Sequence, residues 1–128
     1  MAIDREGRNE LINAVIDRDV SLVKQLLLSG IATTFADREG WTALHFAAQN
    51  NDPEIADLLL RYGALLESRD RFGNTPLFRA VFSYRGGADC ISVLLEAGAN
   101  PDLMNDHGVS ARHLATTIAN YDTRNFFR

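Results

Sequence analysis

Only one cysteine, Cys90, stands in this 128-residue chain. An internal disulfide is therefore excluded, and so is a thiolate metal cluster. No apolar run approaches the length of a membrane span, and the N-terminus, Met1 to Glu6, has no apolar signal core. A cytoplasmic location is the expectation from these two absences, and no membrane contact is expected. Basic residues are also short, at 13 against 17 acidic, a net charge of −4. Nucleic acid rewards clustered Lys and Arg, so it is not an expected partner. Residues 1–72 hold twelve acidic side chains against eight basic, and residues 73–128 hold five of each. That balance mildly favours a basic protein partner.

What the chain does have is repetition. The pattern Asp-Arg-x-Gly begins at Asp4, Asp37 and Asp70, spaced by 33 residues each time, and a degraded copy begins at Asn105, 35 residues further on. Recurrence at this period means one small unit stacked on copies of itself. Each unit is too small to bury its apolar face alone, so neighbours share a continuous core. In each copy the leading Asp and the trailing Gly suit the first and last positions of a β-turn. Asn9, Thr42, Thr75 and Ser110 follow as helix N-caps, with Pro76 at a first helical position. Leu11, Leu44 and Leu77 are the expected core side chains of this first helix. Asp19 and Asp52 cap a second helix, whose apolar positions include Leu22, Val23, Leu26, Ile55, Leu58, Leu59, Val93 and Leu94. Gly30, Gly63 and Gly98 close it, where a left-handed residue is needed.

The segments Trp41-Thr42-Ala43-Leu44-His45-Phe46-Ala47-Ala48 and Asn74-Thr75-Pro76-Leu77-Phe78-Arg79-Ala80-Val81 resemble the ankyrin signature, Thr-Pro-Leu-His-x-Ala at a 33-residue period. The resemblance runs from about Asp4 to Phe127. It implies one domain over residues 1–128 and an all-α solenoid of helix-turn-helix units with short β-hairpin tips. Three full repeats are expected, Asp4–Ala36, Asp37–Arg69 and Asp70–Met104, followed by a capping helix pair, Asn105–Arg128. Glu10 and Arg112 depart from the signature in ways that suit polar end caps. Phe126 and Phe127 are expected to close the core.

The resemblance also implies function. Ankyrin repeats bind proteins through the hairpin tips and the exposed side of the first helices. Carried over by position, the tips contribute Arg38, Glu39, Trp41, Arg71, Phe72 and Asn74. The helices contribute Phe46, Gln49, Asn50, Arg79, Phe82 and Ser83, and Arg5, Glu6, Arg8, His107 and Val109 are the equivalents at the ends. Trp41, Phe72 and Phe82 are large aromatics that the fold does not obviously require, and such residues suit an interface core. Repeat three carries two extra residues between its helices, within Phe82–Ala88, and Tyr84 and Arg85 make that loop a candidate contact.

The remaining chemistry is sparse. His45 belongs to the signature, where the resemblance implies a backbone hydrogen bond between repeats. His107 and His113 have no metal-ligand spacing. Cys90 aligns with Ile55 and is expected to be a small buried hydrophobe. Gly86-Gly87 is not followed by the Lys of a phosphate loop. No enzyme activity and no cofactor are expected. The sequence further resembles small stand-alone bacterial ankyrin proteins of the immunity type, in Asn9-Glu10-Leu11, Gly40 to Gln49 and Gly108 to Ala115. The implied role is a monomeric inhibitor that neutralises a toxin or effector by stoichiometric binding, with a regulatory adaptor or assembly factor as the alternative. A chain with both caps and no attached catalytic part would have binding as its whole function.

Overall fold

Helices of seven to nine residues do not persist alone in water; here they persist because each lies on the next. The computed structural model describes residues 3–87 and 89–117. Among these residues the helices are α1 Glu10–Ile16, α2 Val20–Leu28, α3 Ala43–Gln49, α4 Pro53–Arg61, α5 Pro76–Phe82, α6 Asp89–Glu96 and α7 Ala111–Thr117. The first helices of successive units, α1, α3, α5 and α7, pack in one row, and the second helices, α2, α4 and α6, pack in another. The architecture is the all-α repeat solenoid that the resemblance implies.

Apart from α6, the helices start where their cap residues say they should. Asn9, Thr42 and Thr75 accept from the backbone N–H three residues on, and the Ser110 hydroxyl accepts from His113 N at 3.1 Å. Asp19 and Asp52 cap α2 and α4 in the same way. Leu11, Leu44, Leu77, Val23, Ile55, Leu59 and Leu94 are buried at 0–1% exposure, so the core face lies where the spacing places it. Cys90 joins them, and burial pushes its thiol pKa up to about 12. Such a thiol packs and does not react.

Leu22 is a correction, being 38% exposed. Its counterparts Ile55 and Cys90 are fully buried, and the Cys90 sulfur lies 3.5 Å from the Ala47 carbonyl of the preceding repeat. That position faces backwards along the stack, and no unit precedes repeat one among the described residues. Phe126 and Phe127 lie outside the described residues.

The tips carry the stack's long edge. Asp37 Oδ1 accepts from Glu39 N and Trp41 N, both at 2.9 Å, and Asp70 Oδ1 accepts from Phe72 N and Asn74 N at the same distance. Asp4 and Asn105 repeat the arrangement. The tips are bonded backbone to backbone, Arg38 N to Glu6 O at 3.1 Å, Arg71 N to Glu39 O at 2.9 Å and Asp106 N to Phe72 O at 2.9 Å. Strand pairing at the tips amounts to isolated bridges, Ala36 to Thr42 and Met104 to Ser110. Gly40 and Gly73 are required twice over. Their φ values are +78° and +80°, and a Cβ would stand 2.8 Å from Arg71 N or 2.9 Å from Asp106 N.

Candidate protein-binding surface

The tips and the first helices meet along a corner, and side chains from three repeats interlock there. The Arg8 guanidinium lies over Phe46 at 5.4 Å. Phe46 meets Trp41 with ring centroids 4.7 Å apart. The Arg79 guanidinium covers Trp41 at 4.5 Å and stands 5.8 Å from Phe82. The result is a ladder of rings and cations that crosses repeat boundaries, with each guanidinium close enough to a ring face for a favourable cation–π contact. Beside it, Arg71 lies over Phe72 at 5.4 Å and reaches Glu39 at 3.0 Å.

Two carboxylates hold the cations of the ladder. Asp70 is wholly buried at its side chain, and its Oδ2 accepts from Arg79 Nη2 at 2.9 Å and Nε at 3.3 Å. Asp37 is 4% exposed at its side chain, and its Oδ2 has Arg8 Nε at 3.9 Å. The Asp70–Arg79 pair is the stronger arrangement, since two N–H groups of the guanidinium converge on one oxygen of a buried carboxylate.

His45 completes the frame behind the ladder. Its Nε2 donates to the Asn74 carbonyl of the next repeat at 2.8 Å, and its Nδ1 accepts from Thr42 N at 3.2 Å. Burial lowers its pKa, against the raising effect of the Asn74 bond and of the Asp70 and Asp37 charges. The neutral ring therefore serves as a strut between repeats, as the resemblance implies.

The expected contact residues fall into distinct groups. Phe72 and Phe82 are exposed, at 45% and 54%. Arg38, Arg71, Glu39 and Gln49 are also exposed, as are Arg5, Glu6 and His107. Trp41 and Phe46 are half-buried in the ladder, and Val109 is half-buried at the last tip. Asn74 is 6% exposed. Its carbonyl holds His45 and its amide oxygen accepts from Asn105 Nδ2 at 2.8 Å, so it braces the tips and does not present a free contact. Arg79 is 15% exposed at its side chain and acts from within the ladder. Asn50 ends α3, and the Ser83 hydroxyl donates to Arg79 O at 2.8 Å.

Tyr84 and Arg85 lie at the C-terminal end of α5, the opposite end from its tip. Tyr84 is packed against the core, and Arg85 donates to the Tyr84 carbonyl at 2.8 Å. The structure does not bring them together with Trp41 and Phe72. A residue that sequence reasoning missed governs this loop instead. Asn51, at φ +51°, donates from Nδ2 to Gly87 O at 2.8 Å and accepts at Oδ1 from Cys90 N at 3.0 Å. It thereby caps α6 from the neighbouring repeat. The available signal is positional: Arg18, also left-handed at φ +58°, stands likewise just before a helix-capping Asp.

Among the described residues there is no cluster of His, Cys, Asp or Glu that could hold a metal, and no helix is long and apolar enough to cross a membrane. The surface offers held rings, cations and backbone edges, which is the chemistry of docking. Comparison with known proteins agrees. The family model for ankyrin repeats (3 copies) matches residues 11–122. The chain is 34% identical over 89% of its length to the E3 ubiquitin-protein ligase KEG of Arabidopsis thaliana, of which it covers 7%. It is 43% identical over 61% of its length to the 2-5A-dependent ribonuclease of Homo sapiens, covering 11% of that protein. It is 36% identical over 88% of its length to the ankyrin repeat, SAM and basic leucine zipper domain-containing protein 1 of Mustela putorius furo, covering 23%. The chain thus spans less than a quarter of the length of these curated relatives.

Proposed function

This chain belongs to the ankyrin-repeat family, whose repeats are protein–protein interaction modules, and from that premise we propose that it binds one protein partner stoichiometrically along the corner of tips and first helices in repeats two and three. The observation that carries the reading is the pair of exposed rings, Phe72 and Phe82, set beside a ladder that is already locked by Asp70 and Arg79. Exposed aromatics on a rigid frame lose little entropy on docking. They also supply the contacts that dominate interface energies.

The finer form of the proposal is inhibitory. The partner is a toxin or effector, neutralised when the tips cover its active region. The segments that resemble small immunity proteins support this form. An adaptor role is the second reading, favoured by the small share of each multidomain relative that the repeats occupy. Co-expression with the product of the adjacent gene separates the two. Rescue of host growth and a one-to-one complex on gel filtration, both lost in Phe72→Ala/Phe82→Ala, are the expected results. A neighbour that is harmless alone transfers the proposal to the adaptor reading. A complex that forms undiminished with the double variant overturns the choice of surface.

A further inference from the structure

The repeats can be compared at a single oxygen atom. In each of the first three tips the leading carboxylate spends Oδ1 on two backbone N–H groups, leaving Oδ2 for the residue nine places on, in the first helix. In repeat one that residue is Asn13, whose amide donates to Asp4 Oδ2 at 3.1 Å. In repeat three it is Arg79, which grips Asp70 Oδ2 at 2.9 and 3.3 Å. In repeat two it is Phe46, which has no donor. Asp37 Oδ2 makes no hydrogen bond among the described residues, although its side chain is 96% buried by the 4% exposure that remains. Arg8 approaches from repeat one but stops at 3.9 Å, and its own Nε is buried with no hydrogen-bond partner.

A recess of about 240 Å³ opens at this place, lined by Arg8, Asp37, Glu39, Trp41, Phe46 and Gln49. It holds the unbonded Asp37 oxygen, a second carboxylate and two aromatic rings. One repeat further on, the same kinds of group are filled by the protein's own arginine, since Arg79 bonds Asp70 and lies on Trp41 at 4.5 Å. The molecule therefore contains a template for what the recess would hold.

We propose that the recess beside Asp37 takes a basic side chain of the bound protein, an arginine guanidinium, which donates to Asp37 Oδ2 and stacks against Trp41 and Phe46. A guanidinium suits the recess better than an ammonium because it is planar, forks its donors and lies flat on rings. The inference rests on the protein-binding reading above and names the chemistry of one contact within it. Arg8 marks the edge of the recess and, carrying like charge, gives way to the incoming group.

The test uses N-acetyl-arginine amide on the full chain and follows Trp41, the only tryptophan, by its fluorescence and indole N–H resonance. A saturable change at about millimolar probe is expected for a single contact. The uncharged citrulline analogue should leave Trp41 unchanged. Asp37→Asn should abolish the response without unfolding the tip, because Asn105 already performs the same backbone task in the last tip. Phe46→Arg, which supplies the missing donor internally, should block the probe as well. The proposal is overturned if the citrulline analogue acts equally, if Asp37→Asn responds like the parent, or if no saturable change occurs. A partner complex unaffected by Asp37→Asn overturns the recess while leaving the binding surface in place. A normal arginine response with no partner complex overturns the binding surface and leaves the recess.

Discussion

Repeats two and three share a plan and differ in how each holds its tip to its first helix. In repeat three the buried Asp70 carboxylate is answered from within the same repeat, by Arg79 at 2.9 Å. In repeat two the equivalent Asp37 has only a cation from the repeat before, at 3.9 Å. The first arrangement locks; the second leaves a recess. The difference shows how a repeat protein acquires a local site without altering its frame. One side chain changes from donor to ring, the backbone stays put, and an unanswered polar atom is left at the surface.

The largest effect expected from this difference concerns the two cations. Removing one partner of a buried pair strands the other, which costs about 3–5 kcal/mol. Arg79→Ala should approach that range in urea unfolding, since Asp70 would be left wholly buried. Arg8→Ala should cost about 1 kcal/mol or less, as a long, partly exposed pair contributes little. Equal losses in the two variants would mean that the short and the long pair are not different in kind.

A smaller contrast separates the stacked tips from the last one. Gly73→Ala meets Asp106 N at 2.9 Å and takes φ +80°, whereas Gly108→Ala takes φ +75° with nothing within 4 Å. The conformational term alone costs about 1–2 kcal/mol. Gly108→Ala should lose only that term, and Gly73→Ala should lose more. Thermal unfolding of the two variants side by side measures the cost of the close approach. Matching losses would show that the tips yield to a methyl group.

The fold was legible because a repeat announces itself: caps, closing glycines and core leucines recur at one spacing, and each copy corroborates the others. The surface was less legible, because its contacts join residues a repeat or more apart in sequence, such as Arg8 with Phe46 or Trp41 with Arg79. Reading by position placed Asn74 and Arg79 outside, when their polar atoms are used inside. The Asp70–Arg79 spacing of nine, matched by Asp4–Asn13, carried that information. Leu22 shows the opposite failure, since helical spacing alone does not say whether a neighbour covers the position.

Asn51 supplies a third contrast, between a helix capped by its own repeat and one capped by the repeat before it. Asp52 caps α4 from within, while α6 takes its cap from Asn51 across the repeat boundary. Asn51→Gly keeps the left-handed backbone and removes both side-chain bonds. A loss of about 1 kcal/mol, typical of a helix cap, is expected, with faster amide exchange at Cys90. Unchanged exchange there would mean that α6 does not depend on the borrowed cap.

The subtlest contrast is between His45 and Phe78, which hold the same position in repeats two and three and are both buried. Phe78 cannot titrate. His45 has its pKa lowered by burial from an ordinary value of 6.5. Below pH 6.5 the unfolded chain takes up a proton on this ring and the folded chain does not, so stability falls as pH drops from 6.5 toward the folded pKa. Protonation would also convert Nδ1 from an acceptor of the Thr42 N–H into a competing donor. Asp4, held low by the Arg8 backbone N–H, and Asp102, held low by the Arg112 guanidinium, lose their contributions only lower, as pH falls from their ordinary 3.8 toward their lowered folded values. Urea midpoints between pH 7.5 and 5 should therefore decline in the parent, and the decline should flatten in His45→Phe, whose absolute stability is lower because Asn74 O loses its donor. A parallel decline in both proteins would assign the pH dependence to other groups and leave His45 a strut without a titration.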